Sequence, residues 1–426
     1  MNHSDSERIA AKLNKAGHKL IKADSSAKAS TKADLIVLNA CSVRQSAMHR
    51  VFAQIQKLRD KKIIIAGCVL PTDKKILSSA KNITFWHPDE YVELNPLRQN
   101  KFSAFLPIMT GCNNFCSYCV VPSTRGQEKS RPAKTIIAEA KLLIKNGIKE
   151  IILLGQNVNS YKDSLSLRSL AKQSREMTTL VRDCFGLRPR NDKINFTALL
   201  RLLNALPGNF WLSFLTSHPK DMSDELIAIL ARCQKITPYI HLPVQSGDDK
   251  ILRAMNRHYT VAHYKKLIKK LRSAFKRHRP SWPPLAISTD VIVGFPGETR
   301  QQFQNTLRLI KEIKFDMIYF ARYSPRPGTV ATKLTDNVPQ SEKKRRAQAI
   351  NQLLKQIATQ LNKKYIGRTV PVLINSSPPL GGAGGDFVFG KTITNKNVKL
   401  PAGKLKCGQI VDVRIVSATA WGLKGK

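Results

Sequence analysis

The sequence predicts an α/β protein in three parts: an N-terminal open α/β domain, a central partial (β/α)6 barrel and a small C-terminal β-barrel. Three observations predict this class. Short apolar runs alternate with helical patterns through most of the chain. The distinctive polar and cysteine-containing segments follow those runs, as expected where the carboxyl ends of parallel strands form a ligand site. Beyond residue 367 the helical patterns stop, and short strand patterns are joined by glycine-rich turns.

The N-terminal domain is predicted over residues 1–95. Two buried parallel strands are predicted at Leu35–Leu38 and Ile63–Ile65, with an amphipathic helix between them at Arg44–Leu58. Each strand pattern runs directly into a cysteine, Cys41 or Cys68. A lone cysteine after a strand is more often a small buried hydrophobe. Two at equivalent strand ends should converge, so we expect both to be metal ligands.

The central barrel is predicted over residues 104–335. Its six strand patterns are Phe105–Met109, Glu150–Leu154, Trp211–Leu215, Thr237–His241, Ile287–Val293 and Asp316–Phe320. Residues 164–193 are rich in Ser and Arg and longer than a barrel loop requires, so we expect an exposed, mobile insertion. A connector helix is predicted over 341–366, and the small β-barrel over 367–426. The barrel's strand patterns are Thr369–Ile374, Phe387–Thr394 and Ile410–Ile415, and one of its glycine-rich turns is Gly381–Gly385.

The charge balance points to a polyanionic partner. The 426 residues contain 71 Lys and Arg against 29 Asp and Glu, a formal net charge of +42. Such a surface attracts nucleic acid first of all. Eight cysteines in a chain of this length do not suggest a disulfide framework, so we expect a reducing compartment. No signal peptide and no membrane-spanning run is visible, which predicts a cytoplasmic protein with no membrane partner.

The most informative motif is CxxxCxxC, formed by Cys112, Cys116 and Cys119, with Tyr118 just before the last cysteine. Three thiolates are one short of the four that close a structural zinc site or saturate a 4Fe–4S cluster. A cluster held by three cysteines leaves one iron open for chemistry. The alternative is a zinc knuckle, which would lack a nearby fourth ligand.

This spacing resembles the signature of radical S-adenosylmethionine (SAM) enzymes, in which the open iron chelates SAM and the cluster cleaves it to methionine and a 5′-deoxyadenosyl radical. The order of domains further resembles the methylthiotransferases, which carry two iron–sulfur clusters and a C-terminal TRAM domain. The segments Asn39–Arg44 and Ala66–Cys68 resemble that family's N-terminal cysteine motifs. The resemblance implies one 4Fe–4S cluster on Cys112, Cys116 and Cys119, an auxiliary 4Fe–4S cluster on Cys41 and Cys68, and SAM.

Several short sequence segments favour the tRNA branch of this family, of MiaB type. The segments that resemble it are residues 41–44, 154–158, 216–219, 241–247 and 323–329. The branch converts N(6)-dimethylallyladenosine beside the anticodon to its 2-methylthio derivative. This implies tRNA as partner and a flavodoxin- or ferredoxin-like electron donor, and we expect a monomer. Two alternatives stay open: the same reaction on threonylcarbamoyladenosine, and an RNA-binding protein with a purely structural cluster.

The resemblance also implies residues for SAM and RNA. Gly155, Gln156 and Asn157 match the place where radical SAM proteins hold the methionine amino group, and either amide side chain could accept its hydrogen bond. The remaining SAM candidates are Thr216, Ser217, Ser246, Asp290 and Gly294, and the candidates for tRNA contact are Arg125, Arg322 and Arg326. Each also has an ordinary structural interpretation, as a turn residue or as a partner in a surface ion pair.

One cysteine of the resembled family is absent. Its auxiliary cluster takes three N-domain cysteines, and this chain offers Cys41 and Cys68. The missing one normally lies in a Gly-Cys-Gln-Met-Asn motif, and Met1-Asn2 resembles the end of that motif. We therefore expect the first strand and its cysteine to have been cut away at Met1, most simply by a start codon assigned too late. A chain starting at Met1 is then expected to bind about four iron atoms and to cleave SAM without transferring a methylthio group.

Overall fold

The computed structural model describes residues 1–21, 33–42, 45–185, 192–281, 283–376 and 387–426. The described residues group into two units. The first unit comprises Met1–Gln99, Thr110–Lys129 and Ser324–Thr335, and the second comprises Asn100–Met109, Ser130–Tyr323 and Asp336–Lys426. The CxxxCxxC segment therefore belongs to the same unit as the N-terminal domain, although the sequence places it after the first barrel strand.

The first unit contains a parallel sheet of three strands in the order β1-β2-β3. Its elements are α1 (Asn2–Lys15), β1 (Leu35–Cys41), α2 (Gln45–Lys57), β2 (Lys62–Cys68), α3 (Pro71–Leu77) and β3 (Ile83–Phe85). The predicted strands and the helix between them are confirmed, and both strands extend to include their cysteines. The sheet is a small open α/β sheet, whose ligand edge lies at the strands' carboxyl ends.

Apolar residues on β2 explain why helices cover the sheet. Ile63 and Ile65 pack with Met48 of α2, whereas Ala66 packs with Ile9 and Leu13 of α1. Residues 63–68 of β2 are all buried. A parallel strand buried on both faces consists of a continuous run of apolar residues, and the sequence of β2 shows this pattern.

The second unit is built on six parallel strands, as predicted. They are β4 (Ser103–Pro107), β5 (Glu150–Leu154), β8 (Trp211–Phe214), β9 (Tyr239–His241), β10 (Ala286–Val293) and β11 (Met317–Arg322), and the intervening β6 and β7 are given below. They form two three-stranded sheets, β8-β5-β4 and β9-β10-β11. A parallel bridge joins Leu212 of β8 to Ile236, three residues before β9 begins. The partial (β/α)6 barrel is therefore confirmed.

Helices cover this barrel and complete one large apolar core. They are α5 (Ala133–Lys145), α8 (Phe196–Ala205), α9 (Asp224–Arg232), α10 (Asp249–Ala254), α11 (Val261–His278), α12 (Arg300–Ile313) and α13 (Gln340–Lys363). The preceding helix in the chain, α4 (Val121–Arg125), belongs to the first unit. The shorter elements are the strands Met109–Thr110 and Lys129–Ser130 and the 3-10 helices Pro88–Glu90, Val158–Ser160, Pro219–Asp221 and Val330–Lys333. Thr299 and Gln302 form a capping box at the start of α12.

The expectation of an exposed, mobile insertion at 164–193 is wrong for its described residues. The segment contains β6 (Lys162–Ser166), α6 (Leu167–Ala171), α7 (Arg175–Phe185) and β7 (Lys193–Asn195). Leu167, Leu170, Met177 and Val181 are buried and belong to the barrel core. These apolar residues sit at helical spacing among Ser and Arg, so the segment covers the core instead of looping away from it.

The C-terminal segment forms a closed five-stranded barrel in the order β12-β13-β14-β16-β15. Its strands are β12 (Thr369–Ser376), β13 (Phe387–Thr392), β14 (Asn397–Pro401), β15 (Ile410–Ala418) and β16 (Leu423–Gly425). The sequence predicted three of these strands and missed β14 and β16, while the predicted turn at Gly381–Gly385 lies outside the described residues. Within the second unit Lys391 pairs with Glu150 at 2.7 Å and Lys396 with Asp316 at 2.7 Å, which ties this barrel to the larger one.

Across the described ranges, no helix combines the length and apolar character needed to span a membrane.

Candidate cysteine-rich active site

The predicted convergence of the two strand-end cysteines is confirmed. Parallel pairing of β1 with β2 places Cys41 directly opposite Cys68, and paired strands lie about 4.8 Å apart. Gly67 has a φ of +85°, and a Cβ there would lie 2.5 Å from the carbonyl oxygen of Ala40. The residue before Cys68 must therefore be glycine for the strand to reach this geometry.

A buried arginine binds one cysteine of this pair, Cys68. The Arg125 Nε donates to Cys68 Sγ at 2.9 Å, and its Nη2 donates to the Asp5 carboxylate. The side chains of Arg125 and Asp5 are only 2% and 3% exposed. Burial raises the pKa of the Cys68 thiol, and the positive charge of Arg125 opposes that rise. Burial alone would lower the pKa of Arg125, but the charges of Cys68 and Asp5 hold it above its ordinary value.

The CxxxCxxC segment is shaped by backbone contacts. Gly111 has a φ of +77°, and a Cβ there would lie 1.9 Å from the carbonyl oxygen of Gln127, so only glycine fits. The Cys112 N–H donates to the Gly126 carbonyl at 3.2 Å, and the Cys119 N–H donates to the Cys116 carbonyl at 2.9 Å. Burial raises the pKa of the Cys112 thiol.

Two further contacts brace the same segment. The Glu128 N–H donates to Asn113 Oδ1 at 3.0 Å, and the Ala331 N–H donates to the Ser117 carbonyl at 2.7 Å. The loop is therefore held on both sides, within the first unit, by residues that are not themselves ligands. Such support orients a metal-binding loop before the metal arrives.

The donor set suits iron. All eight cysteines are described, and none is joined in a disulfide. In the described part of the chain, no three His, Cys, Asp or Glu side chains already converge on a common point. Three thiols within eight residues nevertheless supply the soft ligands that iron–sulfur clusters use, and one fewer than a closed site requires.

Two of the three arginines predicted to contact RNA are buried within the first unit. Arg125 is engaged by Cys68 and Asp5, as above. Arg326 is 3% exposed and donates to the Gln45 side chain, and burial lowers its pKa. Its Nε and Nη2 have no hydrogen-bond partner among the described residues. Arg322 is exposed and stays a candidate for RNA contact.

In the second unit, buried amide oxygens follow β5. Gly155 directly follows the strand, and a Cβ there would lie 2.5 Å from the Met109 side chain. The next two residues, Gln156 and Asn157, each bury a side-chain oxygen that has no partner among the described residues, while Asn157 Nδ2 donates to Asp221 at 2.7 Å. Each of these unsatisfied acceptors requires a donor, and an ammonium group is one donor that suits such an oxygen.

Two more SAM candidates line one cavity. Thr216 has a φ of +67°, which is strained for threonine, and its hydroxyl donates to the Gly155 carbonyl at 2.5 Å. The Asp290 carboxylate lies 3.4 Å from His241 Nε2. Thr216, His241 and Asp290 all line a cavity of about 390 Å³ inside the second unit. This places Thr216 and Asp290 beside open space that a ligand can enter.

Three other SAM candidates are engaged in the fold. The Ser217 hydroxyl donates to the His241 carbonyl, and the buried Ser246 hydroxyl accepts from the Asp248 N–H at 3.3 Å. The Gly294 N–H donates to the Glu298 carboxylate at 2.7 Å, and a Cβ on Gly294 would lie 2.4 Å from the Lys343 side chain. Their partners already account for their presence in these turns.

Sequence reasoning missed Asp5, the partner of Arg125. A signal was present, because Asp5 lies on the helix face of Ile9 and Leu13, which pack against the sheet. A carboxylate on a buried helix face requires a cationic partner. The sequence pattern could have shown that Asp5 is buried, but not that Arg125 would be its partner.

The fold and the site together define a class. A three-cysteine loop after the first strand of a partial parallel barrel, with polar side chains after the following strands, is the arrangement of radical SAM enzymes. The family model of the Radical SAM superfamily matches residues 106–310, and that of the Uncharacterized protein family UPF0004 matches residues 1–87. Membership of this superfamily implies a 4Fe–4S cluster and SAM.

Curated relatives identify the family within this superfamily to which the chain belongs. The chain is 34% identical over 467 residues to the tRNA-2-methylthio-N(6)-dimethylallyladenosine synthase of Clostridium novyi (strain NT), covering 100% of this chain and 94% of that protein. It is 36% identical over 461 residues to the synthase of the same name from Thermotoga petrophila, with 100% and 94% covered. The chain belongs to the family of these synthases.

Solved structures match this chain at lower identity. The radical SAM methyltransferase TsrM of Kitasatospora setae superposes with a TM-score of 0.43 at 12% identity, covering 71% of this chain and 67% of that one. The coproporphyrinogen III oxidase HemN of Escherichia coli superposes with a TM-score of 0.40 at 15% identity, covering 61% and 53%.

Proposed function

We propose that this chain is a radical SAM methylthiotransferase that modifies carbon 2 of N(6)-dimethylallyladenosine next to the anticodon in tRNA. One SAM provides the methyl group, and a second provides the radical that removes hydrogen from carbon 2. The observation that carries the proposal is the grouping of Cys41 and Cys68, paired across two strands, with the CxxxCxxC loop in one unit of a chain from this family.

Cys112, Cys116 and Cys119 would hold the 4Fe–4S cluster that binds SAM. When bound, that cluster supplies the electron that cleaves SAM to methionine and a 5′-deoxyadenosyl radical. Cys41 and Cys68 would ligate an auxiliary 4Fe–4S cluster, supported by their register and by the hydrogen bond from Arg125. The third N-domain cysteine of that cluster stays a prediction.

The methionine ammonium of SAM would donate to Gln156 Oε1 and Asn157 Oδ1. Support comes from their burial without partners among the described residues. Thr216 and Asp290 would contact the rest of SAM, since both line the cavity of the second unit. For Ser217, Ser246 and Gly294, the contacts within the fold favour a supporting role beside that site.

The basic surface would bind tRNA. The net charge of +42 supports attraction of the phosphate backbone. Arg322 is exposed at the end of β11, and Phe389 and Trp421 of the small barrel are 49% and 48% exposed, which suits stacking on unpaired bases. We further propose a flavodoxin- or ferredoxin-like electron donor, a monomeric enzyme and a cytoplasmic location.

Nucleoside analysis of a deletion strain tests the reaction. Mass spectrometry of its tRNA should show 2-methylthio-N(6)-dimethylallyladenosine replaced by N(6)-dimethylallyladenosine. Loss of the methylthio group from threonylcarbamoyladenosine instead would support the alternative substrate. A purely structural cluster would be indicated if the reconstituted protein neither bound nor reductively cleaved SAM.

A further inference from the structure

The cavity of the second unit is large enough for a nucleobase substituent and mostly apolar. Its volume is about 390 Å³, within the range of small-molecule sites. Alternate residues of the barrel strands form its wall, and among them Phe105, Trp211, Tyr239 and Tyr319 supply aromatic rings. A wall of this kind favours a neutral, apolar group.

The charged residues on the wall are already paired. Lys391 binds one carboxylate oxygen of Glu150 at 2.7 Å, and the Ser103 hydroxyl binds the other at 2.6 Å. His241 Nε2 lies 3.4 Å from Asp290 Oδ2. A ligand carboxylate entering the cavity would therefore meet the carboxylates of Glu150 and Asp290, and the Lys391 ammonium is already bound to Glu150.

Part of the wall comes from the small β-barrel. Lys391, Thr392, Ile393 and Asn395 line the cavity beside the strands of the larger barrel, within one unit. The ion pair of Lys391 with Glu150 holds that wall in place, and the pair is shielded, since the side chains are 19% and 5% exposed. The C-terminal segment thus contributes to the cavity as well as to the outer surface.

We propose that the part of this cavity beside Phe105 and Trp211 receives the dimethylallyl substituent of the target adenosine, while the part at Thr216 and Asp290 is left to SAM. The small β-barrel forms the wall that selects the substituent, through Lys391, Thr392, Ile393 and Asn395. The inference rests on the proposed function and adds the determinant of substrate choice. The five-carbon substituent is neutral and apolar, which suits the aromatic rings of the wall. A threonylcarbamoyl substituent carries a carboxylate and is rejected, because the Lys391 ammonium is already paired with Glu150.

Binding of anticodon stem-loop RNAs tests this without requiring turnover. Three RNAs, with adenosine, dimethylallyladenosine or threonylcarbamoyladenosine at the target position, are titrated by fluorescence anisotropy with reconstituted protein and SAM, without reductant. Burial of the substituent predicts that the dimethylallyl RNA binds about tenfold more tightly than the unmodified RNA, or better. Ser213 lines the cavity. Ser213→Leu should therefore reduce this ratio toward one, whereas Ser213→Ala should preserve it.

Glu150→Gln tests the charge argument, because it frees the Lys391 ammonium to accept a carboxylate. Binding of the threonylcarbamoyl RNA relative to unmodified RNA should then rise several-fold.

Equal binding of dimethylallyl and unmodified RNA by the wild type, or an unchanged ratio in Ser213→Leu, would overturn the assignment of the cavity. No rise in Glu150→Gln would overturn the role of the ion pair. The affinity for unmodified RNA shows that each variant is folded. Failure of the proposed function itself would appear separately, as unchanged nucleosides in the deletion strain.

Discussion

The two units of this protein differ in what their candidate site residues are. The first unit contains all five candidate metal ligands, Cys41, Cys68, Cys112, Cys116 and Cys119. The second contains neutral oxygen acceptors at strand ends and an apolar cavity. Thiolates hold iron, and buried amide oxygens hold an ammonium group. The proposed roles therefore place metal chemistry and recognition of the organic ligands in separate parts of the chain, so variants in each should fail in different ways.

The largest expected effect is at Cys116. Cys116→Ala should abolish reductive cleavage of SAM, because the open-iron cluster loses one of three thiolates. Cys41→Ala is the matched control in the same unit, and it should leave cleavage to 5′-deoxyadenosine intact. Quantification of 5′-deoxyadenosine after addition of dithionite checks both. Retained cleavage in Cys116→Ala would remove the basis for assigning this loop to SAM.

The next effect concerns the stability of the first unit. Arg125→Met leaves the Asp5 carboxylate buried without its cation, so the free energy of unfolding should fall by about 3–5 kcal/mol. Urea unfolding followed by Trp86, with the other tryptophans replaced by phenylalanine, measures it. The double variant Asp5→Asn/Arg125→Met should recover part of the loss. If the single variant were as stable as the wild type, the buried pair would not be a determinant of this unit.

The strand-end cysteines were predictable from sequence because apolar runs and their endpoints are local patterns. β5 and the pairing of Cys41 with Cys68 followed directly from such runs. The roles of Arg125 and Asp5 were not predictable, since 120 residues separate them and nothing local pairs them. The same limit explains the error at 164–193, where composition suggested exposure but apolar residues at helical spacing pack on the barrel.

In the second unit, Gln156→Leu should weaken SAM binding without loss of iron. The variant removes Gln156 Oε1, which accepts no hydrogen bond from any described residue, so no hydrogen bond to this oxygen within the fold is lost. A hydrogen bond to a charged group contributes about 1.5–3 kcal/mol, which corresponds to roughly a 10- to 150-fold rise in Kd. Equilibrium dialysis with SAM measures this. Gln234→Leu, an exposed site of the same unit, serves as the control and should change neither quantity.

The smallest effect is a pH dependence confined to the second unit. Burial, with the positive charges of Arg257 and Lys220, lowers the pKa of His218 to about 2. The unfolded chain has an ordinary histidine pKa of about 6.5, so between these values the unfolded state binds more protons. This contribution to stability is therefore present above pH 6.5 and is lost as the pH falls.

Between pH 6.5 and 5.5 the loss from His218 should be about 1 kcal/mol. His218→Asn removes the titrating group and keeps an oxygen that can replace Nδ1, which accepts from the Lys220 N–H at 3.2 Å. Urea unfolding at both pH values, followed by a probe in the second unit, should show a shallower pH dependence in the variant by that amount. An identical pH dependence in both proteins would mean that His218 takes up a proton in the folded state, contrary to its burial among cations. Cys41, Cys68 and the CxxxCxxC loop belong to the other unit, so iron content should be the same in both proteins at either pH.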